Sequence, residues 1–241
     1  MDVLRRLDEA RGATNVLEHP FYERWIAGEL SAEELSVYAG EYRHAVVALA
    51  RASERAAATV RDEHRAGLER HAAEEVAHVA LWDEFARAAR TAAAGFPGAG
   101  SAAAGSEQGH ERDAGTESPV APTAQTEACV AAWTAGEDAL ESLAVLYAIE
   151  ASQPEIARTK LEGLTEHYGY VAEGPAVEYF TLHERLDVEH ARQAGELIEE
   201  LLAQRPDAEA AADRMVARAE AALAGNWELL DGVQAPAAVE A

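Results

Sequence analysis

The segment TLHERLDVEH carries His183, Asp187 and His190, spaced i, i+4 and i+7. At about 3.6 residues per turn these three share one face of a helix, and the same line continues through Phe180 on one side and Ala194, Leu197 and Leu201 on the other. Apolar ends mark the stripe as core-facing, so its middle would bury a carboxylate and two imidazoles. A second stripe runs Leu68, His71, Glu75, His78, Trp82, Phe85, again with ionisable groups among apolar neighbours. A third face holds Leu143, Leu146, Tyr147 and then Glu150 where a leucine would be expected.

An isolated buried charge is strongly unfavourable unless it is paired or bound to a metal. One such residue on an apolar face is ordinarily a satisfied core polar group; six of them on three helices ask for a common partner. Glu and His at i, i+3, joined by carboxylates from facing helices, is how helical bundles hold two iron or manganese ions. Carboxylate and imidazole donors without thiolates suit those metals and argue against structural zinc. The expected ligands are Glu75, His78, Glu150, His183, Asp187 and His190, with Glu150 bridging. Glu74 competes with Glu75, His71 is a candidate additional ligand or supporting partner, and Glu41 is either a further carboxylate or a solvated one. The competing explanation is a buried salt-bridge network.

The elements that must position these groups read as helix throughout. Ser31 followed by Glu34 is a capping-box signature opening a long helix through LSAEELSVYAGEYRHAVVALARASERAA. DEHRAGLERHAAEEVAHVALWDEFARAAR is a second, and EACVAAWTAGEDALESLAVLYAIEASQ a third, which should kink or break at Pro154. AVEYFTLHERLDVEHARQAGELIEELLA is a fourth, ending near Arg205-Pro206; residues 208–230 form a fifth, with shorter helices around 2–11 and 20–28. No segment alternates as a strand does. The Gly/Ser/Ala/Pro-rich stretch at 92–126 is expected to be a flexible surface linker, with His110 a solvated bystander.

The chain of 241 residues suits one domain with such an excursion, and its formal charge of −24 disfavours nucleic acid and anionic membrane surfaces alike. No signal-peptide pattern or bilayer-length apolar run is present, so a cytoplasmic location is the expectation. A single cysteine, Cys129, excludes an intramolecular disulfide framework. The 20 lysines and arginines include one lysine, Lys160.

LEHPFYERWIAGELSAEELSVYAGEYRH, LYAIEASQPEIARTKLEGLTEHYG and YFTLHERLDVEHARQ resemble the TenA/PqqC superfamily, and within it the CADD-like branch of haem-oxygenase-like dimetal oxidases. The resemblance covers nearly all the chain outside 92–126. It implies an all-α, seven-helix bundle that binds two iron ions, or one iron and one manganese, and uses O2 to oxidise an organic substrate. Glu150, His183, Asp187, His190 and His78 match the family's ligands, whereas the shorter spacing before His78 leaves Glu74 and Glu75 open. Members of this branch are associated with making p-aminobenzoate from a tyrosine of their own chain, with a lysine as amino donor. Those positions correspond to Tyr22 and Lys160, with a second tyrosine at Tyr38; a further tyrosine beside the bridging glutamate is replaced by Ile149. The other substrate expectation is a small amino-acid-like or fatty-acid-like molecule, and a homodimer is the expected assembly. Two alternatives remain. One is a metal-free thiaminase II-like or PqqC-like enzyme, for which Cys129 is the sole candidate cysteine nucleophile; the other is a non-catalytic interaction protein.

Overall fold

The computed structural model describes residues 2–95 and 121–235, and His110 with most of the expected linker lies outside them. Among the described residues there are nine α-helices, two short 3-10 turns and no strand. The helices are α1 (Val3–Ala13), α2 (Pro20–Ile26), α3 (Ala32–Thr59), α4 (Asp62–Ala93), α5 (Ala124–Trp133), α6 (Ala139–Glu150), α7 (Gln153–Glu166), α8 (Glu178–Ala203) and α9 (Ala208–Gln234). None is long and apolar enough to cross a membrane.

The helical bundle expected from periodicity is present, but the third helix is not continuous. It divides into α5 and α6, and a further helix, α7, begins at Gln153 with Pro154 in its first turn. Gly136 lies so close to Ser142 that a Cβ there would stand 2.5 Å from its Oγ, a turn only glycine fits. Asp138 then caps α6 by accepting from the Glu141 N–H at 3.0 Å. Pro154 is tolerated because it falls in the first turn of α7, where its missing N–H would have had no helical partner. The capping box of α3 forms as expected, Ser31 and Glu34 bonding reciprocally.

α6 occupies the centre, packing against α3, α8 and α9. Nearly every residue of it is buried, as a helix apolar on all sides must be. α3 lies along α4, and α7 along α8. The short α2 is held at both ends of its logic. His19 caps it, its Nδ1 accepting from the Phe21 N–H at 3.0 Å, while the opposite ring nitrogen reaches Asp231 of α9 at 3.1 Å. α2 then lies tight on α7: Gly163 leaves room for Trp25, whose indole donates to the Lys160 carbonyl at 3.3 Å.

Glu41 is neither solvated nor at the candidate centre. It is buried on α3, and its Oε2 accepts from the Thr123 N–H at 3.1 Å and from the hydroxyls of Thr123 and Thr126 at 3.2 and 2.5 Å. A carboxylate there satisfies the otherwise unpaired donors at the start of α5 and complements its dipole. Replacing Glu41 with alanine should lower unfolding stability by about 1–3 kcal/mol in chemical denaturation, since it strands three donors. The same variant should leave metal stoichiometry unchanged.

Candidate metal centre

Three helices converge on one point inside the bundle. α4 contributes His71, Glu75 and His78 on one stripe, α6 ends at Glu150, and α8 contributes His183, Asp187 and His190. All but His71, which keeps a sliver of exposure, are buried. His78 Nδ1 stands 3.1 Å from Glu75 Oε1, His71 Nε2 3.0 Å from Glu150 Oε1, and His190 Nδ1 3.4 Å from Asp187 Oδ1. The donor atoms of His71, Glu75, Glu150 and His190 lie within 4.8 Å of one another, and so do those of Glu75, His78 and His183. The carboxylate common to both groups is Glu75, not Glu150 as expected from sequence. Its place on α4, four residues after His71 and three before His78, sets it midway between the two imidazoles.

These groups fit a pair of cations on chemical grounds. Eight of their buried polar atoms have no hydrogen-bond partner: His71 Nε2, Glu75 Oε2, both oxygens of Glu150, His183 Nε2, both oxygens of Asp187, and His190 Nδ1. Buried polar atoms are ordinarily paired, so a concentration of orphans in one place asks for a ligand. No lysine or arginine approaches Glu75, Glu150 or Asp187 within ion-pair distance among the described residues; their close partners are imidazoles. His183 donates from Nδ1 to the Tyr179 carbonyl at 2.7 Å, which fixes its tautomer and leaves Nε2 with a free lone pair, within the group formed with Glu75 and His78.

The ionisations are strongly interdependent. Burial lowers the pKa of His183, whereas His190 is pushed up to about 9, its burial outweighed by the Asp187 carboxylate 3.4 Å away and the nearby charge of Glu150. His71 is raised as well, the Glu150 carboxylate overcoming burial. Burial raises Asp187, and burial of Glu75 is outweighed by His78 and the neighbouring imidazoles, which leave it below the ordinary range. Imidazoles must be neutral to ligate, so metal loading here releases protons.

Glu74 points outward, 44% exposed, and meets His190 Nε2 at 3.3 Å from the rim, so the inner carboxylate of the pair is Glu75. His71, expected from sequence as an additional ligand or a supporting partner, belongs to one of the two donor groups.

The remaining sequence-derived candidates form a second cluster. Tyr22, Tyr38 and Lys160 are all buried, brought together from α2, α3 and α7. Lys160 Nζ sits 4.5 Å from the ring centroid of Tyr42, 5.4 Å from that of Tyr38, and 5.7 Å from those of Tyr22, Trp82 and Phe180. With no carboxylate to hold its proton, burial lowers its pKa to about 7. Burial likewise pushes the phenols of Tyr22, Tyr38 and Tyr179 well above their ordinary value. Three residues of this region escaped the sequence reading: Tyr42, Trp82 as more than core, and Tyr179. The Tyr179 ring stacks on His183 at 3.9 Å, lies 4.9 Å from Trp82, and Trp82 in turn is 5.1 Å from Tyr42 and 5.9 Å from Tyr38. The two clusters are thus joined by aromatic rings in contact. Their available signals were Tyr179 four residues before His183 and Tyr42 four after Tyr38, each one helical turn from a candidate.

Cys129 is buried on α5, and burial pushes its thiol up to about 12, which leaves it inert as a nucleophile at neutral pH. That removes the chemical basis for a thiaminase-like reading.

A sequence profile described as iron-containing redox enzyme matches residues 36–224. The chain belongs to that family and is an oxidoreductase. It is 31% identical over 207 residues to a 4-aminobenzoate synthase of Chlamydia trachomatis serovar D, covering 84% of this chain and 81% of that one. Against the 4-aminobenzoate synthase of Nitrosomonas europaea it is 27% identical over 243 residues, covering 95% and 89%. Among solved structures, a TenA homologue from Pseudomonas syringae pv. tomato superposes with a TM-score of 0.71 at 14% identity, covering 96% of this chain and 90% of that one. A protein with a haem-oxygenase-like fold from Shewanella denitrificans gives 0.66 at 18% identity, covering 96% and 88%. The fold is haem-oxygenase-like.

The uncharged state of Lys160 has a measurable consequence. Between about 7 and the 10.5 of a free lysine, the unfolded chain holds a proton that the folded chain lacks. Stability should therefore rise with pH across that window, by up to about 1.4 kcal/mol per pH unit from this group. Denaturant melts of Lys160→Met, compared with the parent chain, should lack that component of the slope.

Proposed function

We propose that the chain is an O2-using dimetal oxidase. Glu75, His78, Glu150, His183, Asp187 and His190 hold two ions, both iron or one iron and one manganese, with His71 beside them. The Tyr22 side chain is cleaved at Cα–Cβ, its Cβ is oxidised by O2 to the carboxylate of 4-aminobenzoate, and nitrogen released by breaking the Cε–Nζ bond of Lys160 replaces the phenol oxygen, which leaves as water. Two reduced ions held there would supply the electrons and Lewis acidity that O2 activation needs.

The observation that carries the proposal is the amine of Lys160 sealed among tyrosine rings next to a buried carboxylate and imidazole cluster. An amine that is to form a bond to carbon must be unprotonated, and burial brings Lys160 to about 7, where about half is free base at neutral pH. Tyr22 is a para-substituted ring, as 4-aminobenzoate is, and it lies within reach of the same amine. Its pKa, raised well above the ordinary value, keeps the phenol protonated, so oxidising it requires removal of a proton together with an electron. Ring contacts run from Tyr22 through Phe21 and Tyr38 to Trp82, and from Trp82 through Tyr179 to His183, a path over which an electron can leave Tyr22 for the centre. Gly163 lets Trp25 lie tight on α7, which keeps α2, and with it Tyr22, against the helix that carries Lys160. The likeness to 4-aminobenzoate synthases of Chlamydia trachomatis and Nitrosomonas europaea supports this product, as does the arrangement of this chain's own residues.

Anaerobic loading with Fe(II), alone or with Mn(II), followed by O2 and mass spectrometry of protein and small molecules, tests this. A loss of mass localised to Tyr22, together with 4-aminobenzoate, is the expected result. Tyr22→Phe and Lys160→Met should each reduce the product to background, and product formation should rise as pH passes upward through about 7, where Lys160 loses its proton. An intact chain with no 4-aminobenzoate would overturn the self-derived substrate, and an oxidised added amino acid or fatty acid would replace it.

A further inference from the structure

The candidate centre is buried, so its ions need a way in. A cleft of about 350 Å3 enters from the surface between the start of α4 and the second half of α8. At its inner end are His71 and His190, the latter only 8% exposed; His71 Nε2 and His190 Nδ1 are both buried without hydrogen-bond partners. At its mouth is His64, whose Nε2 is also buried and unpartnered, 3.5 Å from Glu63 Oε1 and 3.4 Å from Glu200 Oε1. No lysine or arginine lines the cleft among the described residues. The carboxylates differ in freedom: Glu196 is engaged by Arg192 and Glu63 lies 3.8 Å from Arg61, whereas Glu200 faces His64. One wall is apolar, including Leu68 and Leu197, which narrows the dielectric screening around the donors.

We propose that this cleft is the loading port of the metal centre. Glu63, His64 and Glu200 capture a hydrated divalent cation, Fe(II) or Mn(II), and pass it inward to His71 and His190. Two carboxylates and one imidazole can hold a partly hydrated ion without trapping it, because a site of few ligands leaves most of the coordination shell to water. The next donors inward are the imidazoles of His71 and His190 with the carboxylates of Glu75 and Glu150 grouped with them, so the ion exchanges its ligands at the mouth for the same two donor types. The net charge of −24 draws cations to the whole surface, and the cleft concentrates that attraction at one opening. The inference rests on the two-metal reading of the centre.

The test separates the two. Mn(II) is mixed anaerobically with the full chain at low ionic strength, and the loss of the free aqueous ion is followed by electron paramagnetic resonance. Equilibrium stoichiometry is measured in parallel. The parent chain is compared with Glu200→Gln, His64→Gln, the double variant, and Glu209→Gln, which makes the same charge change on exposed α9. Circular dichroism checks folding. The double variant is expected to load about 10-fold more slowly with unchanged final stoichiometry, a gap that narrows as salt is raised, while Glu209→Gln loads normally. Unchanged loading rates in the double variant would overturn the port. So would a loss of stoichiometry, since it would put His64 and Glu200 in the centre itself. A parent chain that takes up neither Mn(II) nor, in a parallel anaerobic titration, Fe(II) would instead overturn the two-metal reading, and the port with it.

Discussion

Everything in this fold is arranged around three carboxylates, Glu75, Glu150 and Asp187, buried where no lysine or arginine among the described residues comes near enough to neutralise them. Burying even one such charge is costly, and three within a few ångströms would repel one another strongly. Imidazoles on α4 and α8 offset part of this, which is why His71 and His190 are drawn toward their charged forms. That compensation is incomplete, as the unpartnered oxygens of Glu150 and Asp187 attest. A pair of divalent ions would satisfy the oxygens and the neutral imidazole nitrogens together.

Placing Glu150 on α6 follows from the same constraint. A helix buried on every side offers a carboxylate no water, so the group there must be met by something inside the protein. α4 and α8 supply that meeting by presenting one polar stripe each toward the end of α6. The rest of the bundle holds these three in register: α3 backs α4, α9 closes over α6, and Glu41 ties α5 to α3. Glu41 illustrates how similar chemistry serves a different end. It too is a buried carboxylate, but its partners are a backbone N–H and two hydroxyls, and it is satisfied without a metal.

The second cluster is governed by exclusion of water. Lys160 is surrounded by rings, which attract a cation through their faces but cannot replace its hydration, and the balance brings the amine to about 7. The same dryness keeps the surrounding phenols protonated. The juxtaposition of an amine that is easily neutral with phenols that are hard to ionise is unusual in a protein core, and it lies one aromatic layer away from the carboxylates.

Helical periodicity determined much of this by itself. His183, Asp187 and His190 lie on one face because of their spacing alone, and so do His71, Glu75 and His78, since a helix repeats every three to four residues. The cap at Ser31 and the break near Pro154 were legible for the same local reason, and resemblance to a known family singled out Tyr22, Tyr38 and Lys160. What sequence could not decide was anything that depends on which elements meet. Glu74 and Glu75 are neighbours in the chain, and only the packing of α4 against α6 and α8 turns one to the rim and the other inward. Glu41 reads in sequence as a spare carboxylate, and only the packing of α5 against α3 gives it the donors at the start of α5. Glu75 rather than Glu150 joins the two donor groups because that role is set by distances between helices. Tyr179 and Trp82 read as ordinary core until the tertiary fold stacked them between the clusters. Spacing along one helix is fixed by covalent geometry, whereas the identity of a side chain's partners is fixed by contacts between segments distant in sequence, and no local pattern records those.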